Sequence, residues 1–184
     1  KDVVTVEIEN INIEALEEVQ KMGVKVFPQP HVLRIIRDKG IQKEFYKKHK
    51  LPTSDFSLID NKSDLISNIV SFPIVQKLRT GGYDGRGVQV LKNKEDLGKG
   101  FDAPSILEEF IPFDKELAII VSRNESGEVN TFPVVECEFS PEANLVEFLF
   151  SPADVSRLVE DKAKELAINI IESLDMVGIL AVEF

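Results

Sequence analysis

The sequence predicts an α+β protein, with helices on antiparallel sheets and a short α/β unit in front of them. Three observations carry this. The opening residues read strand, helix, strand, the pattern of a parallel pair. Two apolar runs, 72–75 and 88–91, flank a glycine-rich stretch and read as a strand and its return. The run over 130–138 alternates apolar and polar residues, as a half-buried antiparallel strand does.

Taken in order, residues 3–9 are rich in β-branched side chains and predict a strand. Asn12 caps a helix over 13–22, with Gly23 at its C-terminal side. Residues 24–27 form a second strand, and Pro28 and Pro30 then break the chain. Pro30 suits the first position of a helix whose apolar side is Val32, Leu33, Ile35 and Ile36. A further helix over 41–49 carries Lys43, Lys47 and Lys48, with Lys50 just beyond, and this set reads as a solvated face. His31 and His49 have no carboxylate or cysteine at ligand spacing and predict no metal site. Residues 56–59 are a strand, and Ser63 caps a short helix through Val70.

After the hairpin, Lys94-Glu95-Asp96-Leu97 reads as a short helix stopped by Gly98 and Gly100. Strands are expected over 105–111, 116–121, 130–138 and 145–150, with a turn at 123–128. Ser151-Pro152-Ala153-Asp154 has a cap, a first-position proline and an acid three residues on, so it predicts a helix start. Val155, Leu158, Val159, Leu166, Ile170 and Leu174 follow at helical spacing. Residues 179–183 read as a buried strand carrying one acid, Glu183.

The chemistry concentrates between the hairpin strands, in Gln76-Lys77-Leu78-Arg79-Thr80-Gly81-Gly82-Tyr83-Asp84-Gly85-Arg86-Gly87. Glycine lets backbone N–H groups turn toward a ligand with no Cβ in the way. Successive N–H groups then form an anion-binding concavity, and Lys77, Arg79 and Arg86 would neutralise phosphate charge. The motif is neither of two familiar ones. A Walker loop requires Gly-Lys-Ser/Thr, and Gly87 is followed by Val88-Gln89. A dinucleotide fingerprint requires a helix after its glycines, and a β-patterned run follows here. An ordinary hairpin turn needs neither Lys77 at the strand end nor so many cations.

The chain has 184 residues, 43% hydrophobic and 29% charged, enough for one substantial domain or two small ones. A net charge of −10 argues against general nucleic-acid binding, which needs a basic face. It leaves room for a local cationic pocket. The single cysteine, Cys137, excludes an intrachain disulfide, fits a reducing, cytoplasmic compartment, and reads as a buried structural thiol. No apolar run approaches the ~20 residues of a membrane span, so no membrane partner is expected. The chain opens directly in a strand-like run without Met, and is expected to be a piece of something longer.

The run from Lys77 to Gly87 resembles the signature loop of the N5-carboxyaminoimidazole ribonucleotide synthase family, ATP-grasp enzymes of purine biosynthesis. The resemblance extends along essentially the whole chain. It takes in Thr5-Val6-Glu7-Ile8-Glu9-Asn10, Leu51-Pro52-Thr53, Glu108-Glu109-Phe110, Lys115-Glu116, Phe132-Pro133-Val134 and Val177-Gly178-Ile179-Leu180-Ala181-Val182-Glu183. The glycine loop with its Tyr-Asp is highly specific; the other pieces alone are weak.

The resemblance implies an ATP-grasp fold over 37–184, with a hinged lid at about 72–111. The tail of a pre-ATP-grasp domain would occupy 1–36. It implies ATP and Mg2+, bicarbonate as co-substrate, aminoimidazole ribonucleotide as acceptor, and a homodimer for the longer enzyme; the piece alone would be inactive. Residue by residue, it puts Lys77 and Lys39 on the phosphates and the loop Gly82, Tyr83, Asp84, Gly85, Arg86, Gly87 and Val88 over ATP. Glu108, Glu109, Phe110 and Ile111 become the adenine hinge, and Glu116 the ribose acceptor. Tyr83, Asp84 and Arg86 would be catalytic, Glu9, Tyr83 and Arg86 would approach the second substrate, and Glu183 would bind magnesium. From sequence alone, Glu108 and Glu116 read as solvated charges at strand ends, and Glu7 and Glu9 as one polar strand face. Glu183 lies among apolar residues and requires either a paired cation or a metal if buried. Phe139 stands where the family often has a histidine near the nucleotide. A related ATP-grasp carboxylase or ligase, or a non-catalytic nucleotide-binding module, would share much of this pattern.

Overall fold

The computed structural model describes residues 2–8, 10–69, 71–82, 86–139 and 146–184. They fall into two units: one drawn from Lys1–Arg34, Asp114–Glu142 and Val146–Phe184, the other from Ile35–Phe113.

In the first unit, the Asn12 side chain accepts from the Ala15 amide at 2.9 Å and starts α1 (Ile13–Lys21). This satisfies one of the free N–H groups of a helix start. The helix connects β1 (Val3–Thr5) to β2 (Lys25–Phe27), which pair in parallel as the sequence predicts. β1 is shorter than the 3–9 expected. Ile13, Leu16, Val26 and Leu33 form the core of this part, with Val4, Val6, Ile11 and Val19 against it. Leu33 comes from α2 (Pro30–Arg37).

The larger sheet of this unit runs β10–β9–β7–β11. β7 (Glu116–Arg123) is central, flanked by β11 (Gly178–Glu183) and β9 (Val135–Phe139), with β10 (Val146–Phe150) outermost. The single strand expected over 130–138 is two. β8 (Val129–Thr131) and β9 both pair with β7, separated at Phe132-Pro133. Proline has no N–H to give a ladder, and Val134 turns inward at 1% exposure.

α5 (Arg157–Ser173) packs on β7 and buries Ala163, Ala167, Ile170 and Ile171. It begins later than predicted: Ser156, not Ser151, is the cap, accepting from the Val159 amide. Leu158 and Val159, expected on the apolar face, are exposed in the first turn. On β7, Leu117, Ile119 and Val121 are buried, whereas Ile120 is 42% exposed. The period-2 alternation of a strand thus gives this sheet one covered face and one open face.

The second unit is an antiparallel sheet in the order β3–β6–β4–β5. Its strands are β3 (Phe56–Ile59), β4 (Ile74–Leu78), β5 (Val88–Leu91) and β6 (Ser105–Glu109). Helices α3 (Lys39–Lys48) and α4 (Lys62–Asn68) and a 3-10 helix (Lys94–Lys99) accompany it. Asn61, rather than Ser63, caps α4, accepting from the Ser63 and Asp64 amides. Ile59, Leu65, Leu91 and Leu107 form the core. Gln76 is fully buried on β4, and its amide donates to Phe101 O and Ser105 Oγ and accepts from Phe101 N, so no polar atom is stranded.

Candidate functional site

The glycine stretch leaves and re-enters this second sheet as predicted. Lys77 pairs with Val88 at the last register of the β4–β5 hairpin, and Leu78 N donates to Gly87 O at 2.8 Å. Gly81 and Gly87 have φ of +77° and +88°, where an L side chain is strained. A Cβ on Gly87 would lie 2.9 Å from Gly82 Cα, and one on Gly82 would lie 2.9 Å from Arg86 O. The loop therefore pinches at its base, backbone against backbone.

That base is fixed to α3. Asp38 accepts from Gly40 N and Ile41 N at 2.8 and 3.1 Å, capping the helix, and also receives Nε and Nη2 of Arg79 at 2.9 and 2.8 Å. Arg79 O in turn accepts from Lys39 N at 2.9 Å. Burial pushes the Asp38 carboxyl up. The Arg79 hydrogen bond and the Ile41 and Gly40 amides outweigh this and hold it below its usual range. Lys39, the first residue of α3, is thereby placed beside the strand end that leads into the glycines.

Beneath the hairpin, Glu108 of β6 is 3% exposed. It is not the solvated strand-end charge expected from sequence. Its Oε2 pairs with Lys77 at 2.6 Å and its Oε1 with Lys43. Lys43 also donates to Thr53 Oγ1 and Ser54 Oγ at 2.5 and 2.9 Å, and Ser54 Oγ donates to Glu108 Oε1 at 3.2 Å. Lys43 is itself buried, which corrects its assignment to a solvated lysine face. Burial pushes the Glu108 carboxyl up, and the charge of Lys77 with the Lys43 hydrogen bond outweighs it, so the group titrates below its ordinary value.

Two of the predicted acids, Glu116 and Glu183, belong to the larger sheet of the first unit. Glu183 pairs with Ala118 and Glu116 with Cys137, so strand alternation places Glu116, Cys137 and Glu183 on one side. Glu183 is exposed and Ile179 is 66% exposed, so the buried strand predicted over 179–183 is open on this side. The burial penalty invoked for Glu183 does not apply. Cys137 is half-buried. Burial first, then the Glu183 and Glu116 carboxylates, raise its thiol pKa, which disfavours a thiolate nucleophile.

Among the remaining predicted positions, Glu109, Phe110 and Ile111 are exposed at and after the end of β6, which stops at Glu109 rather than at 111. Val88 is exposed at the start of β5, and Gly82 and Arg86 bracket the loop. Glu9, Tyr83, Asp84 and Gly85 lie outside the described residues. Sequence reasoning missed Lys43 and Asp38 as parts of the site, and it read Arg79 as a phosphate cation where the structure pairs it with Asp38. Asp38, an acid directly before Lys39, carried a helix-cap signal.

The ATP-grasp domain family matches residues 44–184, and the ribonucleotide synthetase preATP-grasp domain matches residues 1–37. The chain belongs to the ATP-grasp family. This ATP-grasp chain is 37% identical over 190 residues to phosphoribosylaminoimidazole carboxylase of Ogataea methanolica, covering 99% of the chain and 35% of that protein. It superposes with a TM-score of 0.90 and 31% identity on carboxyaminoimidazole ribonucleotide synthase of Aspergillus clavatus complexed with ATP, covering 99% of the chain and 49% of that one. The Aspergillus clavatus N5-carboxyaminoimidazole synthase complex with ADP and 5-aminoimidazole ribonucleotide gives a TM-score of 0.87 at 29% identity, with 99% and 48% covered. The chain spans about half the length of these relatives, or less.

An ATP-grasp site implies magnesium. Among the described residues no group of three or more His, Cys, Asp or Glu could hold a metal. Glu183 nevertheless offers an exposed carboxylate on the open sheet face. That donor suits Mg2+, which binds through one or two carboxylates and keeps waters and phosphate oxygens as its other ligands.

Proposed function

We propose that this chain is part of an N5-carboxyaminoimidazole ribonucleotide synthase. The longer protein would use ATP and bicarbonate to carboxylate 5-aminoimidazole ribonucleotide in de novo purine biosynthesis. The observation that carries this reading is Lys77, at the last register of a pinched glycine hairpin and held by a buried carboxylate. The similarity to a synthase complexed with ATP supports it.

On this reading residues 1–36 end a pre-ATP-grasp domain and 37–184 are ATP-grasp, with a lid at about 72–111. Lys77 and Lys39 neutralise the triphosphate, and Gly82, Gly85, Gly87 and Val88 bring backbone N–H groups over it. Adenine lies along the backbone of Glu108, Glu109, Phe110 and Ile111, and Glu116 accepts from the ribose hydroxyls. Glu183 is the residue that would hold Mg2+, which supplies charge neutralisation at the phosphate oxygens. Tyr83, Asp84 and Arg86 close over the reacting groups, and Glu9, with Tyr83 and Arg86, approaches the second substrate.

The reaction has two steps. A bicarbonate oxygen attacks the γ-phosphorus and ADP leaves, giving carboxyphosphate. The amine of aminoimidazole ribonucleotide then captures the carboxyl group, directly or as carbon dioxide released from carboxyphosphate, and inorganic phosphate and the amine proton are released. The protein contributes positioning and fixed positive charge, and the closed loop keeps water from the fragile carboxyphosphate. The protein is cytoplasmic on this reading and the longer enzyme a homodimer; no described helix is long and apolar enough to cross a membrane.

Phosphate release from ATP, followed with and without aminoimidazole ribonucleotide, tests the proposal. Release that depends on that nucleotide supports it. Release stimulated only by a different amine or carboxylate would make the protein another ATP-grasp ligase. ATP binding with no release under any acceptor would make it a nucleotide-binding module.

A further inference from the structure

We propose that Lys43, committed to Thr53, Ser54 and Glu108, is a positioning residue that sets the charge of the phosphate site. By neutralising Glu108 it leaves the charge of Lys77 free for a polyphosphate. The inference rests on the nucleotide reading above and goes one layer beneath it.

The argument is a count of donors and charges. An ammonium group has three N–H donors. Those of Lys43 are directed to Thr53 Oγ1, Ser54 Oγ and Glu108 Oε1, so the group is fully committed inside the protein. Lys77 differs: its side chain is 34% exposed and its one ion pair among the described residues is with Glu108 Oε2. Two ammonium groups and one carboxylate leave one positive charge in excess. The exposed member of the cluster, at the foot of the glycine hairpin, is where that excess meets an anion.

Remove Lys43 and the balance changes. Glu108 would remain buried with Lys77 as its sole counter-ion. A buried carboxylate cannot be left uncompensated, so Lys77 would be held by Glu108, and the pair would present no net charge to a phosphate. Neutralising Glu108 at the same time restores one excess positive charge, now on Lys77 alone. A lysine that merely fills space would not be rescued by a second substitution on a different element, the strand β6.

The test is calorimetric titration of the protein with Mg-ATP and with magnesium triphosphate, for wild type, Lys43→Met, Glu108→Gln and the double variant. Thermal unfolding of each accompanies it. The expected result is affinity about tenfold weaker for Lys43→Met, the scale of one lost charge-assisted contact. Removing Lys43 from Glu108→Gln should change affinity by less than about threefold, against the tenfold loss it causes in wild type. Wild-type affinity in Lys43→Met, or a double variant about tenfold weaker than Glu108→Gln, would overturn the proposal. If Lys43→Met alone does not fold, the double variant decides by itself, since it lacks the unpaired buried acid. Affinity there about tenfold below that of Glu108→Gln would also overturn it. A wild-type protein that binds neither probe would remove the nucleotide reading itself, an outcome distinct from failed rescue.

Discussion

The Lys77 ammonium lies 2.6 Å from Glu108 Oε2, joining the foot of the glycine hairpin to a buried acid on the neighbouring strand. β4 and β6 are antiparallel partners, with Lys77 opposite Ile106 and Val75 opposite Glu108. The two charged residues are thus diagonal neighbours on one sheet face, within reach of long side chains. The lysine is aimed before any ligand arrives.

The pH dependence of stability follows from the same acid. Glu108 and Asp38 both titrate below their ordinary values in the folded protein. The folded state therefore binds these protons more weakly than the unfolded chain. Their contribution is complete above the unfolded carboxylate values of about 4 and is lost as pH falls through the lower folded values. Urea midpoints should be flat in this respect from pH 7 to about 5 and fall below that. Asp38→Asn should show a shallower acid fall than wild type.

Asp38 joins two roles, helix cap and partner of Arg79, and two substitutions separate them. Asparagine caps about as well as aspartate, so Asp38→Asn loses mainly the charge on Arg79, about 1 kcal/mol. Asp38→Ala loses the cap as well, about 2 kcal/mol in all. Equilibrium unfolding in urea measures both.

Gly87→Ala should destabilise the hairpin by about 1–2 kcal/mol for its left-handed backbone, and more for the close contact with Gly82 Cα. It should also weaken Mg-ATP binding. Gly98→Ala is the matching control. A Cβ there meets nothing within 4 Å, and the change should stay within about 0.5 kcal/mol. Thermal unfolding compares the two.

Glu183→Gln should weaken binding of Mg-ATP, while ATP titrated in the presence of a chelator should bind both proteins alike. The carboxylate is exposed, so the fold should be unaffected. Equal weakening with and without magnesium would remove Glu183 as its ligand.

Much of the architecture was legible because local signals agreed with tertiary packing. Asn12 capped its helix, the hairpin strands paired about the glycines, and the first two strands were parallel. The misplaced starts, Ser63 and Ser151, have a physical cause. Several Ser, Asn and Asp residues near a helix start can each cap it, and tertiary contacts choose among them. The split at Pro133 was visible as a missing donor. Glu183 was read as buried from its apolar neighbours, but those neighbours line a sheet open on one face. Lys43 was the least legible residue. Three further lysines follow it within seven positions, and only folding shows that one of the four turns inward to Glu108.

The central claim, that Lys77 at the base of the hairpin holds the triphosphate, is tested most directly by calorimetric titration of Mg-ATP into wild type and Lys77→Ala. Loss of a charge-assisted contact of about 1.5–3 kcal/mol predicts affinity lower by roughly tenfold to a hundredfold. Equal dissociation constants for the two proteins would contradict the account.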